Sequence, residues 1–308
     1  MSATTKRTAI RLAAGLILII LLIYFSEPKA ILSAILSAKP YYIMLSLPLY
    51  PIAMILYTFR WQIIVVMMGD KFPLWEAHQA VLGGAFVSDF TPARLGDFLK
   101  PLMVKDRIDV GKGMASVIID HWADTMTAVI LGIVGLLAIL HMRNWQLVLL
   151  ILAPLSGMLV FLSGVLLRKN LIMRAVCRIN QERLTSMVRD FYNAMDHVED
   201  KFRLIEASVL ITCIIWIILA LRITILIKAF GYDAPIVKLV FLLPLVNMLS
   251  ALPLTISGLG IVEGGMTLLV VTLGKPASLG LSIALIDRAL SMGYHALMGS
   301  RYASRLLL

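Results

Sequence analysis

LGGAFVSDFTPARLGDFLKPLMVK, residues 82–105, is apolar enough to enter a membrane, yet Gly83, Gly84, Pro92 and Gly96 interrupt it. It also carries Asp89, Arg94, Asp97 and Lys100. A helix crossing lipid tolerates neither broken backbone nor charge, because no water is present to satisfy either; both persist only where protein or a watery cavity surrounds them. The stretch therefore reads as a helix–break–helix hairpin that enters and leaves on one side, with Pro92 to Gly96 at its tip.

The rest of the chain supplies the membrane. Of 308 residues, 60% are hydrophobic and 15% charged, and the mean hydropathy is +0.92. A soluble protein of this length has no interior large enough for that much apolar surface, so the class is all-α polytopic membrane protein. No polar block is long enough for a separate soluble domain, and 1–308 reads as one integral membrane domain. The net charge of +10 is spread between spans, which points to membrane orientation and not to nucleic acid. Cys177 and Cys213 make neither a metal spacing nor a disulfide pair. Lys6, Arg7 and Arg11 precede an apolar run ending in Ser26-Glu27-Pro28, a poor cleavage site, so a retained signal anchor is expected.

In order, spans are expected at about 10–25, 41–59, 113–140, 145–167, 204–227 and 278–299. A loop holding Glu27, Lys29 and Lys39 follows the first. Arg60 and Trp61 read as interfacial anchors of the second, and Gln62 to Met68 as a continuation along the interface. Residues 168–203 are polar, with Leu184, Met187, Val188, Phe191, Met195, Val198 and Phe202 at helical spacing, an amphipathic cytosolic helix. A second interrupted stretch, 239–274, is broken at Pro244, Pro253, Gly258, Gly260, Gly264 and Gly265.

With the N-terminus cytosolic and both interrupted stretches taken as hairpins (79–105 and 239–274), the six spans alternate and both termini are cytosolic. Of 28 Lys and Arg, only Lys29, Lys39, Arg143, Lys228, Lys238 and Lys275 then fall outside. Arg94, Lys100, Arg222 and Arg288 lie at membrane depth, and the remainder face the cytosol, as the positive-inside rule requires. The first hairpin opens from the cytosol and the second from outside. Residues 10–141 and 145–300 then form two inverted-topology repeats. Ile118-Ile119-Asp120-His121 and Leu285-Ile286-Asp287-Arg288 correspond in kind, and Gly132 and Gly299 follow at equal distance. Paired Gly/Pro-interrupted segments in corresponding positions point to a transporter's binding site.

Arg94 beside half-helix ends suits a phosphate or carboxylate; the alternative is an ion pair with Asp97 or Asp124 that holds the hairpin shut. Asp97 and Lys100 share a helix face, and Asp89 caps or terminates the incoming arm. Glu263 pairs with Arg94 or Arg288, or carries a coupling proton. Asp120, His121 and Asp124 read as charge balance, since no second His or Cys completes a metal set. Arg222, near the end of its span, reads as snorkelling. No phosphate loop, nucleophile elbow or zincin motif is present, so no cofactor, metal or catalytic residue is expected.

TPARLGDFLKP and PLTISGLGIVEGG, with IIDHWADTM and LIDRALSMG, resemble the motifs of the lysylphosphatidylglycerol synthase transmembrane-region family, a flippase-like domain; the likeness runs from about residue 10 to 300. Ala93 stands where glycine is usual, Asp97 where glutamate is common and His121 where arginine is common. The resemblance implies a lipid-handling protein, with Arg94, Gly96, Asp97, Asp124, Pro253, Gly258, Gly260, Glu263 and Arg288 carried over as functional. The soluble aminoacyl transferase domain of the namesake enzymes has no counterpart here, so lipid synthesis is not expected. The expected function is translocation of an anionic phospho- or polyprenyl-linked lipid across a prokaryotic cytoplasmic (inner) membrane. Arg94, Lys100, Gly96, Ser257, Gly258 and Gly260 would surround the headgroup. Asp97, Asp120, His121, Asp124, Glu263, Asp287 and Arg288 would form a charge or coupling network. The alternatives are a lipid-presenting partner of a membrane glycosyltransferase or lipid-modifying enzyme, and an intramembrane enzyme using Asp120, Asp124 or Glu263.

Overall fold

Helices of 28, 28 and 27 residues, Pro40–Met67, Val110–Leu137 and Arg203–Ala229, carry enough length and hydropathy to cross a bilayer. At 1.5 Å per residue each reaches about 40 Å, more than the hydrocarbon thickness of about 30 Å. A fourth crossing is available from Arg11–Phe25 and Pro28–Ser37, a pair bent by 84°. The computed structural model describes residues 3–139, 145–178, 181–196, 201–251 and 254–304, and among these no β-strand occurs. Large apolar side chains such as Ile20, Leu36, Ile55 and Ile217 are exposed, as helices facing lipid require.

The order is α1 (Ala3–Phe25), α2 (Pro28–Ser37), α3 (Pro40–Ser46), α4 (Leu49–Met67), α5 (Leu74–Ser88), α6 (Lys100–Met103) and α7 (Val110–Val134). Then come α8 (Trp145–Leu167), α9 (Lys169–Cys177), α10 (Glu182–Asp196), α11 (Lys201–Ala229), α12 (Ile236–Met248), α13 (Ile261–Thr272) and α14 (Ala277–Ala303). Residues 26–39, expected as loop, hold α2, started by Pro28 at its first turn. The polar segment 168–203 is two helices, α9 and α10, not one. Leu184 and Phe202 contribute side chains outside the described set, as does Val198, and Arg143 and Pro253 also fall outside it. Tyr192 ties α10 to α8 by donating its hydroxyl to the Val165 carbonyl at 2.7 Å.

The second span does not end at Phe59. α4 continues to Met67 with Trp61, Ile64 and Val65 fully buried, and Trp61 Nε1 donates to Ser116 Oγ on α7 at 2.9 Å. Within residues 62–68 one face, Ile64, Val65 and Met68, is buried against α7 and α10, while Val66 on the other is exposed.

Two helix–break–helix units lie between the long helices. In the first, α5 of 15 residues reaches only about 22 Å, and the return is a 3-10 turn, Leu95–Leu99, plus the single turn of α6. In the second, α12 ends at Met248 and α13 returns over 12 residues, about 18 Å. Their breaks meet. Pro92 and Ile256 form an antiparallel bridge, and the Ser257 N–H donates to the Thr91 carbonyl at 3.1 Å.

Contacts repeat between the two parts of the chain. A Cβ on Gly132 of α7 would meet Leu245 of α12, and one on Gly299 of α14 would meet the Leu82 carbonyl of α5. Each of these glycines admits the incoming arm of the other part's broken unit. The returning arms pack mainly within their own part, α6 on α7 and α13 on α14, with α13 also against α1, and α4 packs on α11.

Candidate functional site

Among the described residues, two adjoining cavities with charged side chains in their walls lie beside the bridged breaks. The larger, about 310 Å³, lies among α4, α7, α8, α11, α12 and the first break. The smaller, about 120 Å³, lies among α5, α13, α14 and both breaks. Arg94, Tyr50, Asn247, Asp287 and His295 belong to both. Together the walls carry five basic side chains, Arg60, Arg94, Lys100, Arg222 and Arg288, and six acidic ones, Asp89, Asp97, Asp120, Asp124, Glu263 and Asp287. Charge buried in lipid persists only when paired, and these groups pair in a pattern used twice.

Arg60 is 2% exposed. Its Nε donates to Asp120 Oδ1 at 2.7 Å, and its Nη1 donates to Asp124 Oδ1 at 3.1 Å and Thr212 Oγ1 at 2.7 Å. It is no interfacial anchor. Arg222 on α11 does the same for the other part of the chain. It does not snorkel but is buried, with Nη1 2.9 Å from Asp287 Oδ1 and its guanidinium 4.6 Å above the Tyr50 ring. In each part an arginine of one long helix answers the aspartate at the same position of the following long helix. The sequence separations are similar, 60 and 65 residues, the one signal by which sequence could have found them.

The neighbouring residues repeat as well. His121 Nε2 lies 3.8 Å from Asp97 Oδ2 while its ring stacks on Phe98. Arg288 pairs with Glu263 and donates to the Ser257 carbonyl at 3.3 Å. Of the two partners open to Glu263 from sequence, Arg288 is the one it takes. Its other oxygen accepts the Gly260 N–H at 2.7 Å, so this fully buried carboxylate is held on both sides.

Arg94 departs from the pattern. Like Gly260 it precedes a returning arm by one residue with positive φ, 53° against 81°, and each has an acid three residues on, Asp97 or Glu263. One position has no side chain and the other a guanidinium. Ala93 and Ser257 also have positive φ, 54° and 50°, a conformation costing non-glycine residues about 1–2 kcal/mol each. The tip is held by Gly96 N–H donating to Thr91 Oγ1 at 3.2 Å and Ser88 Oγ donating to the Arg94 carbonyl at 3.2 Å. The guanidinium itself makes no hydrogen bond among the described residues. Its side chain is 38% exposed and its partner, Asp97, stands 3.8 Å away; Asp124 is not its partner. Lys100 is buried, 3.6 Å from Asp120 and 3.9 Å from Asp97.

Gly96, Gly258 and Gly260 touch neither cavity wall. A Cβ on Gly96 would run into the Gly84 carbonyl and the Ser88 N–H of α5, and one on Gly260 would meet Leu18 of α1 at 2.5 Å. Ser257 lines the smaller cavity. Asp89 closes α5 and accepts from His295 Nδ1 at 2.8 Å. His295, Tyr50 and Arg60 belong to the site although sequence reasoning gives them no role in it. Among the described residues no cluster of His, Cys, Asp and Glu forms a metal site.

The family model described as "Lysylphosphatidylglycerol synthase TM region" matches residues 10–299. A UPF0104 membrane protein of Methanothermobacter thermautotrophicus is 23% identical over 314 residues, 94% of this chain and 93% of the relative. A UPF0104 membrane protein of Methanocaldococcus jannaschii is 21% identical over 324 residues, 96% and 95% of the two chains. A second from M. thermautotrophicus is 26% identical over 318 residues, 95% and 91%. No solved structure matches the chain significantly.

Proposed function

The chain belongs to the family of the lysylphosphatidylglycerol synthase TM region, and from that premise we propose that it is a flippase-like protein of a prokaryotic cytoplasmic membrane. It binds the anionic headgroup of a phospholipid or polyprenyl-linked lipid at Arg94 and carries it across while the tails stay in the bilayer. Residues 10–141 and 145–300 are two inverted repeats, each of three spans and one re-entrant hairpin, 79–105 from the cytosol and 239–274 from outside. Duplicated contacts support this: Arg60–Asp120 and Arg222–Asp287 are ion pairs at matching positions, and where the second part pairs Arg288 with Glu263 the first sets the His121 ring 3.8 Å from Asp97. So do α5, α12 and α13, each too short to cross about 30 Å alone.

The observation that carries the reading is the state of Arg94. Arg60, Arg222 and Arg288 sit in close contact with carboxylates, whereas Arg94 keeps an open guanidinium fork facing both cavities. A fork of that kind binds phosphate oxygens in pairs. Lys100 and Ser257 lie beside it as further donors. Gly96, Gly258 and Gly260 let the backbones close in, and the paired charges hold the walls. The protein acts as a carrier and not as an enzyme; its repeats rock about the bridged tips.

The test is lipid movement in proteoliposomes with fluorescent headgroup-labelled phosphatidylglycerol, comparing wild type with Arg94→Ala and Arg94→Lys. Wild type accelerates exchange between leaflets, Arg94→Ala falls to the rate of protein-free vesicles, and Arg94→Lys keeps part of the activity. Well-folded wild type that moves neither this lipid nor a polyprenyl phosphate would shift the reading to a protein that presents lipid to a membrane glycosyltransferase or lipid-modifying enzyme.

A further inference from the structure

His295 is the one described histidine with a hydrogen bond at each ring nitrogen. Nδ1 lies 2.8 Å from Asp89 Oδ2, and Nε2 lies 2.7 Å from the Tyr50 hydroxyl. Since a carboxylate only accepts, Nδ1 carries the hydrogen, and Nε2 of the neutral ring accepts from Tyr50. The three groups come from three separate elements: Tyr50 from the start of α4, Asp89 from the first break and His295 from α14. Tyr50 and His295 line both cavities and Asp89 the smaller, so this chain is a polar link where the two cavities adjoin. It also ties the first part of the sequence to the last.

Every other charge facing the link has its nearest counter-charge elsewhere, closely at Arg222 and Glu263 and loosely at Arg94. From α11, Arg222 over the Tyr50 ring is paired with Asp287 of α14. From the first break and its 3-10 turn, Arg94 stands 3.8 Å from Asp97, with its guanidinium fork open to the cavities. From α13, Glu263 is paired with Arg288. α12 offers only the neutral Asn247, and α14 itself adds Tyr294, whose ring lies against that of Tyr50. Among the described residues, Asp89 is left with no cation but a protonated His295. The cavity walls then hold one more acidic than basic group while the ring is neutral, and an anionic headgroup adds to that excess.

We infer that His295 takes up one proton with each anionic headgroup, so that lipid and proton cross together; this rests on the translocator reading above. The proton arrives from water in one cavity on Nε2, and the Tyr50 hydroxyl turns to accept from the new N–H. The imidazolium forms a salt bridge to Asp89 across the two parts of the chain. After the tips have rocked, the same proton leaves Nε2 for water in the other cavity, and Tyr50 turns back. One proton is bound and one released per cycle. The charge brought by the headgroup is met where low dielectric makes an excess costly.

The test uses full-length protein in vesicles holding trapped pyranine and nitrobenzoxadiazole-labelled phosphatidylglycerol, its leaflet read by dithionite quenching. A one-unit pH difference, acid on the donor side, is expected to speed net lipid movement several-fold over symmetric pH, with pyranine recording proton arrival as lipid moves. In His295→Gln, whatever its basal rate, the gradient is expected to lose its effect on lipid movement. Tyr50→Phe, which removes only the Nε2 partner, should blunt the response and serves as the deciding variant if His295→Gln does not fold. Lipid movement by wild type at one rate with or without the gradient overturns the inference and leaves the translocator standing, as does a full gradient response in both variants. No movement by wild type at any pH overturns the translocator reading and this inference with it.

Discussion

A guanidinium inside a bilayer has to be met by carboxylates, and Arg60 is met by two. With Asp120 and Asp124 both bonded to it and Thr212 taking another hydrogen, it joins α4, α7 and α11 at one point. Arg60→Met would leave two buried carboxylates, Asp120 and Asp124, with only Lys100 beside them. Removing one partner of a buried pair costs about 3–5 kcal/mol, so the midpoint of thermal unfolding in detergent should fall markedly. Adding Asp124→Asn to that variant should recover part of the loss, because one uncompensated charge goes with it; a double variant as unstable as the sum of the singles would mean that the two do not interact. Residue by residue, the sequence is half legible. The acids of 120–124 read as charge balance for membrane arginines, and Asp120 and Asp124 lie against Arg60 as Asp287 does against Arg222. Arg60, however, closes an apolar run and precedes a tryptophan, the pattern an interfacial anchor also makes. Only the face covered by α7 and α11 tells the two apart, and that depends on packing between distant segments.

Among the elements, the two breaks are visible in the sequence because glycine, proline and charge together cannot continue a lipid-facing helix. Arm lengths are not visible. The first return is a 3-10 turn because Pro101, with no N–H to give, bars Leu95–Leu99 from running on as one α-helix. What then holds the short arm in place is backbone against backbone at Gly96. A methyl there meets the Gly84 carbonyl, the Ser88 N–H and the Val87 carbonyl carbon of α5, none of which can step aside without shifting α5. Gly96→Ala should therefore displace the tip, abolish lipid movement and lower the unfolding temperature. Gly293→Ala in α14 is the control, since a methyl at that position meets nothing within 4 Å. Alanine favours a helix over glycine by about 1 kcal/mol, so that variant should be neutral or slightly more stable. Equal losses in both would mean that Gly96 is not a close-contact position.

For the molecule as a whole, the repeated ion pairs and the crossed contacts of Gly132 and Gly299 speak for two related parts, whereas their orientation rests on the distribution of basic residues alone. Lysines and arginines are retained on the cytosolic side as the chain inserts, so their distribution sets which way the molecule faces. The native cysteines turn this into a measurement. Cys177 is exposed on α9, in the polar segment assigned to the cytosol, and Cys213 is half-buried within the span Arg203–Ala229. A membrane-impermeant maleimide should thus leave Cys177 untouched in intact cells and label it after permeabilisation. Cys213→Ser should not change that result. Lys39→Cys, placed at the exposed start of α3 on the opposite side, should be labelled in intact cells. Labelling of Cys177 in intact cells with protection of residue 39 would invert the molecule. The hairpin bearing Arg94 would then open outward, and a headgroup loaded there would have to come from the outer leaflet.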